Sequence, residues 1–169
     1  DDPHRPRGLG SRPCDGEGLP GARRHLVRAG RLMEYATDLE SARRLDLPPT
    51  GHGLWGGGSC FSNLHCAPGD LSPAAIIAST KRGLLVTELM GGGFRPASGH
   101  WSQGCAGLWI EGGEIAYPVR EATIAGEFED LLMGIDAIGD DLDFGRGPVA
   151  APTLRVAEMA LAGAGGEES

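Results

Sequence analysis

The sequence predicts an α+β fold, β-rich and mainly antiparallel, barrel-like or layered, with about two to three short helices. Three observations carry this expectation. The 29 glycines and 12 prolines are interspersed with apolar segments at no fixed period, which points to many tight turns and close backbone approaches rather than to collagen or linker. Short apolar runs recur between those glycines at strand length. Helical stretches are few, and each is bounded by cap residues. With 169 residues, 40% of them hydrophobic, the chain has the length of one ordinary domain and can bury a core.

Residues 1–22 are rich in Gly, Pro and Arg without period and read as an irregular arm. Residues 25–28 and 31–35 alternate apolar and polar around Ala29-Gly30, the pattern of a hairpin with a two-residue turn. Residues 38–46 read as a short helix capped by Asp38 and stopped by Pro48-Pro49. The Gly-rich stretch 50–59 reads as loop, and 63–67 as a strand. Ser72 as N-cap and Pro73 at the first helical position start a second helix, expected to carry Lys81 and Arg82 in its last turn and to end at Gly83. Residues 84–89 are nearly all apolar and predict a strand, central in its sheet. Gly91-Gly92-Gly93 breaks it, and 107–117 reads as a hairpin turning at Gly112-Gly113. Phe128, Leu131, Leu132, Ile135 and Ile138 form one stripe at helical spacing, predicting a helix over 127–138 closed by Gly139. Residues 153–161 read as a last strand with Leu154 and Val156 on one face, and 163–169 as a disordered tail after a single domain over 1–162.

Charge narrows the function classes. The formal net charge is -8 and the pI about 5.0, whereas a nucleic-acid binder needs a basic footprint to neutralise phosphates. Adjacent basic residues, as at Arg23-Arg24 and Arg43-Arg44, occur only in pairs. Direct nucleic-acid binding and anionic membrane surfaces are therefore disfavoured, and no apolar run reaches the ~18 residues of a membrane span. The four cysteines are few for this length and no secretory context accompanies them, so reduced thiols and a cytoplasmic location are expected. The polar start without Met suggests a piece of a longer parent with an N-terminal domain of comparable size.

The residues specify no reaction by themselves. No His-Glu-x-x-His and no Cys-x-x-Cys occurs. The nearest cluster of metal donors is Cys60, His65 and Cys66 with His52 upstream, but neighbours on an extended strand point to opposite faces, and zinc needs three or four convergent donors. Cys105 would approach His100 if that stretch formed a hairpin arm, yet a cysteine is more often a small buried hydrophobe than a nucleophile. Gly-x-Ser-x-Gly is absent, and neither Gly56-Gly57-Gly58 nor Gly91-Gly92-Gly93 has phosphate-loop spacing.

Two long segments do carry a likeness. Arg82-Gly83-Leu84-Leu85-Val86-Thr87-Glu88-Leu89-Met90-Gly91-Gly92-Gly93 and the stretch from Ser102 to Val119 strongly resemble the TldD/TldE (PmbA) family, and the match continues through 121–126 and 139–141. Upstream, 7–13, 15–18, 41–45 and Thr50-Gly51-His52 fall in the family's order. The resemblance covers nearly the whole chain, as a C-terminal half, and lies closest to the TldE/PmbA branch. It implies a two-subunit cytosolic zinc peptidase, also described as a modulator of DNA gyrase, in which TldD-like chains hold the metal and TldE-like chains do not. TldD-like chains also place a ligating Cys before the last strand; here 143–149 contain none.

By that resemblance the chain is expected to be a non-catalytic subunit with no cofactor of its own, zinc belonging to the partner. Its expected partners are a TldD-like subunit or a second copy, and unfolded peptides bound by strand addition. No catalytic or metal-binding residue is assigned. Gly91, Gly92, Gly93, Trp109, Glu111 and Tyr117 are expected to line the chamber or the subunit interface. The alternatives are a metallopeptidase whose zinc motif lies upstream of Asp1, and a stand-alone interaction module.

Overall fold

The computed structural model describes residues 1–145 and 147–163. In chain order the elements are β1 (Val27–Arg28), β2 (Arg31–Leu32), α1 (Leu39–Leu45), β3 (Leu64–His65), α2 (Pro73–Ala78), β4 (Arg82–Met90) and β5 (His100–Glu111). There follow β6 (Glu114–Glu127), α3 (Phe128–Met133), β7 (Ile135–Ile138), β8 (Val149–Ala150), β9 (Leu154–Val156) and β10 (Ala160–Gly163). They gather into two compact units, one of Asp1–Ala67 with Leu142–Ala151, the other of Pro68–Asp141 with the chain from Pro152 onward. The fold is α+β and mostly antiparallel, with three short helices among the described residues. Among the described residues the largest sheet does not close on itself, so it is layered rather than a barrel.

The first unit holds little regular structure. β1 and β2 form a hairpin whose turn residues, Ala29 and Gly30, take left-handed φ of 49° and 75°, as the two-residue turn requires. Asp38 caps α1: its carboxylate accepts the Ser41 N–H at 2.8 Å, and Asp46 closes the helix in the left-handed region. β3 and β8 add a short parallel pair.

The second unit is organised by β5. Its sheet runs β10-β6-β5-β4 with every neighbour antiparallel. β5 alternates without interruption, while its neighbours carry extra residues beside Ala106: Thr87 on β4, and Arg120 and Glu121 on β6. Glu121 is left-handed there (φ 56°), so the three strands bend along one line. Cys105, Ala122 and Ile124 form the buried centre, packed by Leu84, Val86, Trp101, Val119 and Met159.

Five expectations change. Ser72 and Pro73 do start α2, but the helix ends at Ala78; Arg82 and Gly83 open β4 because they pair with Glu111 and Ile110. Among the described residues β4 is an edge strand, not a central one; its C-terminal half, Thr87–Met90, has exposed side chains on both faces. The stripe over 127–138 is only half helix. α3 stops at Gly134 with no buried residue, and Ile135–Ile138 pairs with β9: β-branched side chains at 135 and 138 serve a ladder as well as a helix face. The last strand is two, since β9 and β10 join different sheets. Gly163 belongs to β10, paired with Ala122, and the rest of the expected tail lies outside the described residues.

Gly107 marks the tightest approach within the large sheet. A methyl group there would run into the Leu85 carbonyl and Val86 Cα of β4, and neither backbone can yield without breaking the ladder. Gly107→Ala should lower stability by roughly 1–3 kcal/mol, seen as a lower urea midpoint; an unchanged midpoint would contradict this packing.

Candidate functional site

The end of the β5–β6 hairpin concentrates aromatic and charged side chains. Trp109 on β5 stands directly opposite Tyr117 on β6 and Leu84 on β4. The indole and phenol rings stack, 6.3 Å between centroids and 20° between planes, an arrangement favoured by aromatic quadrupoles. The indole N–H donates to Glu111 Oε1 at 3.1 Å, and the Arg82 guanidinium lies 5.5 Å from the indole centre. Tyr117 remains 50% exposed, so the stack is a surface feature. Strand alternation puts Trp109 on the same face as Cys105 and Trp101, and the cluster extends the sheet's apolar face outward.

Gly91, Gly92 and Gly93 lie at the opposite end of the same strands. The Gly91 carbonyl accepts the Gln103 amide at 2.6 Å, and the Gly93 carbonyl accepts the Ser102 N–H at 3.3 Å. Gly93 admits no side chain because the Ser102 backbone occupies that space, whereas nothing lies within 4 Å of a Cβ at Gly92. At ~3.3 Å per residue, Trp109 is roughly 20–25 Å along β5 from this turn. The six predicted residues therefore form two clusters: Trp109, Glu111 and Tyr117 together, the three glycines apart. Phe94 and Phe128, whose rings are 5.1 Å apart, accompany the glycine end.

The first unit contains a buried polar network that sequence reasoning missed. His52 is fully buried; its Nε2 lies 3.2 Å from Asp1 Oδ2 and its Nδ1 2.8 Å from Thr50 Oγ1. The Asp1 carboxylate also accepts the Ser62 N–H at 3.0 Å and its hydroxyl at 2.7 Å, and Thr50 Oγ1 accepts the Thr37 N–H at 2.8 Å. Acid, imidazole and hydroxyl stand in the order of a hydrolase triad, but the Thr50 hydroxyl is enclosed by Thr37 and leaves no approach to a substrate. In the sequence His52 reads as a distant member of the Cys60–His65–Cys66 donor group and Thr50-Gly51-His52 as part of the resemblance; no residue pattern marks its partner Asp1, 51 positions away.

The comparisons bear on all of these places at once. Residues 1–163 match the model of the PmbA/TldA metallopeptidase C-terminal domain. The chain belongs to that family. Metalloprotease PmbA of Escherichia coli O157:H7 is 39% identical over 95% of this chain, which spans 34% of that protein. A metalloprotease TldD homolog of Buchnera aphidicola is 28% identical over 82% of the chain and 30% of the relative. Among solved structures, a protein from Thermotoga maritima described as a modulator of a DNA gyrase superposes with a TM-score of 0.89 at 35% identity, over 96% of this chain and 38% of its own. TldE from Thermococcus kodakarensis gives 0.85 at 25%, over 96% and 39%. The chain thus spans about a third of the length of the curated relatives it matches.

A metallopeptidase family raises the question of donors for a metal. In this PmbA/TldA domain both ring nitrogens of His52 are engaged inside the network. His65 Nδ1 faces the Asn63 carbonyl at 3.2 Å, and its ring packs on Phe144. Burial raises the thiol pKa of Cys66 and of Cys105, against the thiolate a metal requires. Cys105 and His100 do not meet either: five positions apart on one strand, they face opposite sides. Among the described residues no three His, Cys, Asp or Glu side chains converge as a metal set, and these donors do not fit zinc.

The network has a consequence for pH. Burial first, then the Arg24 and Arg12 charges, hold the His52 pKa below its ordinary value of 6.5. The unfolded chain takes up a proton near 6.5 while folded His52 stays neutral, so stability present above that pH is lost as pH falls toward the folded value. The thermal midpoint should drop between pH 7 and 5, and this slope should flatten in His52→Gln. An equal slope in the variant would assign the effect elsewhere.

Proposed function

We propose that the chain is a TldE/PmbA-type non-catalytic part of a cytoplasmic two-subunit peptidase, contributing a wall of the peptide-binding space while a TldD-like partner holds the zinc. The observation that carries this reading is the likeness to chains named PmbA and TldE, stronger in sequence for PmbA of E. coli (39%) than for a TldD homolog (28%). The poor fit of the chain's own donors to a metal supports it. So does the exposed apolar surface. Trp55 is 92% exposed and Met133 75%, the kind of surface that partners or further chain cover. The aromatic cluster around Trp109 has the composition of a binding hot spot, Trp, Tyr and Arg together. The substrate would be an unfolded peptide, recognised through its backbone by strand addition.

Zinc content and peptide cleavage, measured for this chain alone, for a TldD-like chain alone and for their mixture, test the reading. The expected result is zinc with the TldD-like chain and cleavage in the mixture; one tightly held zinc and cleavage by this chain alone would overturn it.

Substitutions locate the contact surface. Gly92→Trp fits open space at a residue without positive φ and Trp109→Ala trims a partly exposed ring outside the buried centre of the sheet, so both should fold. If these clusters form the interface, each should weaken association with the TldD-like chain at least tenfold, about 1.4 kcal/mol. Unchanged binding in both removes them from the interface.

A further inference from the structure

Four arginines and one carboxylate, Glu34, lie between positions 23 and 35, in a chain whose net charge is -8. Two of those arginines are matched: Arg24 pairs with Glu34 at 2.5 Å, and Arg23 lies 4.0 Å from Asp2. The other two stand directly opposite each other at the tip of the β1–β2 hairpin, Arg28 against Arg31. The Met33 N–H donates to the Leu26 carbonyl at 2.8 Å. By alternation along the ladder Arg28 and Arg31 are then also a hydrogen-bonded pair, their Cα atoms about 5.5 Å apart. Like charges in opposite positions destabilise a hairpin, and among the described residues neither arginine has an acidic partner. The turn adds a second cost: Ala29 takes a left-handed φ of 49°, where a Cβ is unfavourable. Charge repulsion and backbone strain meet at one exposed tip, and strain kept at such a place points to use rather than to packing.

The same hairpin carries apolar surface. Strand alternation sets Leu26 and Met33 behind the two arginines, on their face, and Met33 is 55% exposed. Val27 and Leu32, opposite each other on the reverse face, are exposed as well. A two-stranded ladder so open is marginal in water by itself. Charge and spacing state what fits it. Each guanidinium fork takes a carboxylate. In an extended segment side chains two positions apart lie on one face about 6.6 Å from each other, the same step that separates Arg31 from Met33. A Glu-x-Glu-x-apolar stretch laid along the hairpin therefore sets its apolar side chain over Leu26 and Met33 and its carboxylates at the arginines. A phosphate polymer or an anionic membrane spreads negative charge far beyond the tip and meets the chain's acidic excess; a short acidic stretch meets only the two arginines.

We propose that the β1–β2 hairpin is a docking surface for an extended acidic segment of another protein, held by Arg28 and Arg31 with Leu26 and Met33 seating its apolar residue. The test is fluorescence anisotropy with a labelled Glu-Ala-Glu-Ala-Leu peptide and its Gln-Ala-Gln-Ala-Leu counterpart, on the wild type, Arg28→Gln/Arg31→Gln and Met33→Ser, with thermal melts followed by circular dichroism. The wild type should bind the acidic peptide at least tenfold more tightly than the neutral one. The double variant should lose that preference, and Met33→Ser should weaken both peptides alike. Arg28→Glu/Arg31→Glu should instead prefer Lys-Ala-Lys-Ala-Leu. The thermal midpoint of Arg28→Gln/Arg31→Gln should be no lower than that of the wild type, because a repulsion is removed. No preference for the acidic peptide, a preference that survives the double variant, a reversed variant indifferent to lysines, or a lower midpoint would overturn the proposal. Arginine-dependent binding of phosphatidylserine vesicles or of duplex DNA in place of the peptide would overturn it too, assigning the tip to a different polyanion. The assay uses this chain without zinc or a TldD-like partner, so its outcome is independent of the peptidase reading.

Discussion

Buried backbone N–H and C=O groups must find partners, and in the first unit neither helix nor sheet supplies many. Side-chain carboxylates and amides supply them instead. Asp15 accepts three backbone N–H groups, from Leu19 and Gly53 at 2.8 Å and from Glu17 at 3.0 Å. Burial alone would raise its pKa; those three donors hold it below the ordinary value. Asp38 caps α1 with one oxygen and takes the Gly58 N–H with the other. Asn63, fully buried, receives the Gly10 N–H and gives its amide hydrogens to the Asp2 carbonyl and the Ser11 hydroxyl. The Gly-rich stretch 50–59 is thus tied down by acids on distant segments, and part of the chain's acidic excess is structural rather than a solvated field.

The second unit meets the same requirement with ladders, and β5 is its spine. An unbroken period of two lets β5 keep Cys105, Gly107 and Trp109 on one face, while β4 and β6 absorb the mismatch as bulges. The sheet bends where Glu121 takes a left-handed φ, a conformation costly for a residue with a Cβ. That bend coincides with Gly107, where β4 passes too close for any side chain on β5. Local and sheet-level geometry agree at this one line.

Capped elements and the glycine-turned hairpins were legible because their signals are local. Asp38, Ser72-Pro73, Ala29-Gly30 and Gly112-Gly113 act over two to four residues, and each does in the structure what its type predicts. Elements decided by distant pairing were not legible. The stripe at Phe128, Leu131, Leu132, Ile135 and Ile138 fits a helix of twelve residues, yet β9, twenty residues on, takes Ile135–Ile138 into a ladder. For the candidate site, residue types were readable and grouping was not. Gly91–Gly93 and Trp109 come from one resemblance, but the register of β4 against β5 sets them at opposite ends of the strands. The Asp1–His52 contact carried no signal at all, because neither residue type nor spacing distinguishes a buried relay from two unrelated loop residues.

α3 shows why the open surface is more than excess hydrophobicity. A six-residue helix forms too few hydrogen bonds to offset its nucleation, its N-cap makes no side-chain bond, and none of its residues is buried. What holds it is its attachment: the Phe128 N–H continues the β5–β6 ladder to the Gly99 carbonyl at 2.9 Å, and at the other end the Gly134 carbonyl accepts the Ala157 N–H at 2.9 Å. The helix is therefore fixed at both ends while Leu132 and Met133 between them face solvent. A helix held by its ends keeps its exposed side chains in place without using them for its own stability, so ordering them costs little when a surface closes over them. The same holds for Tyr117, locked by its stack on Trp109 yet half exposed. These positions combine pre-set geometry with uncovered apolar area, and that combination, rather than apolar area alone, distinguishes a contact surface from a merely incomplete core.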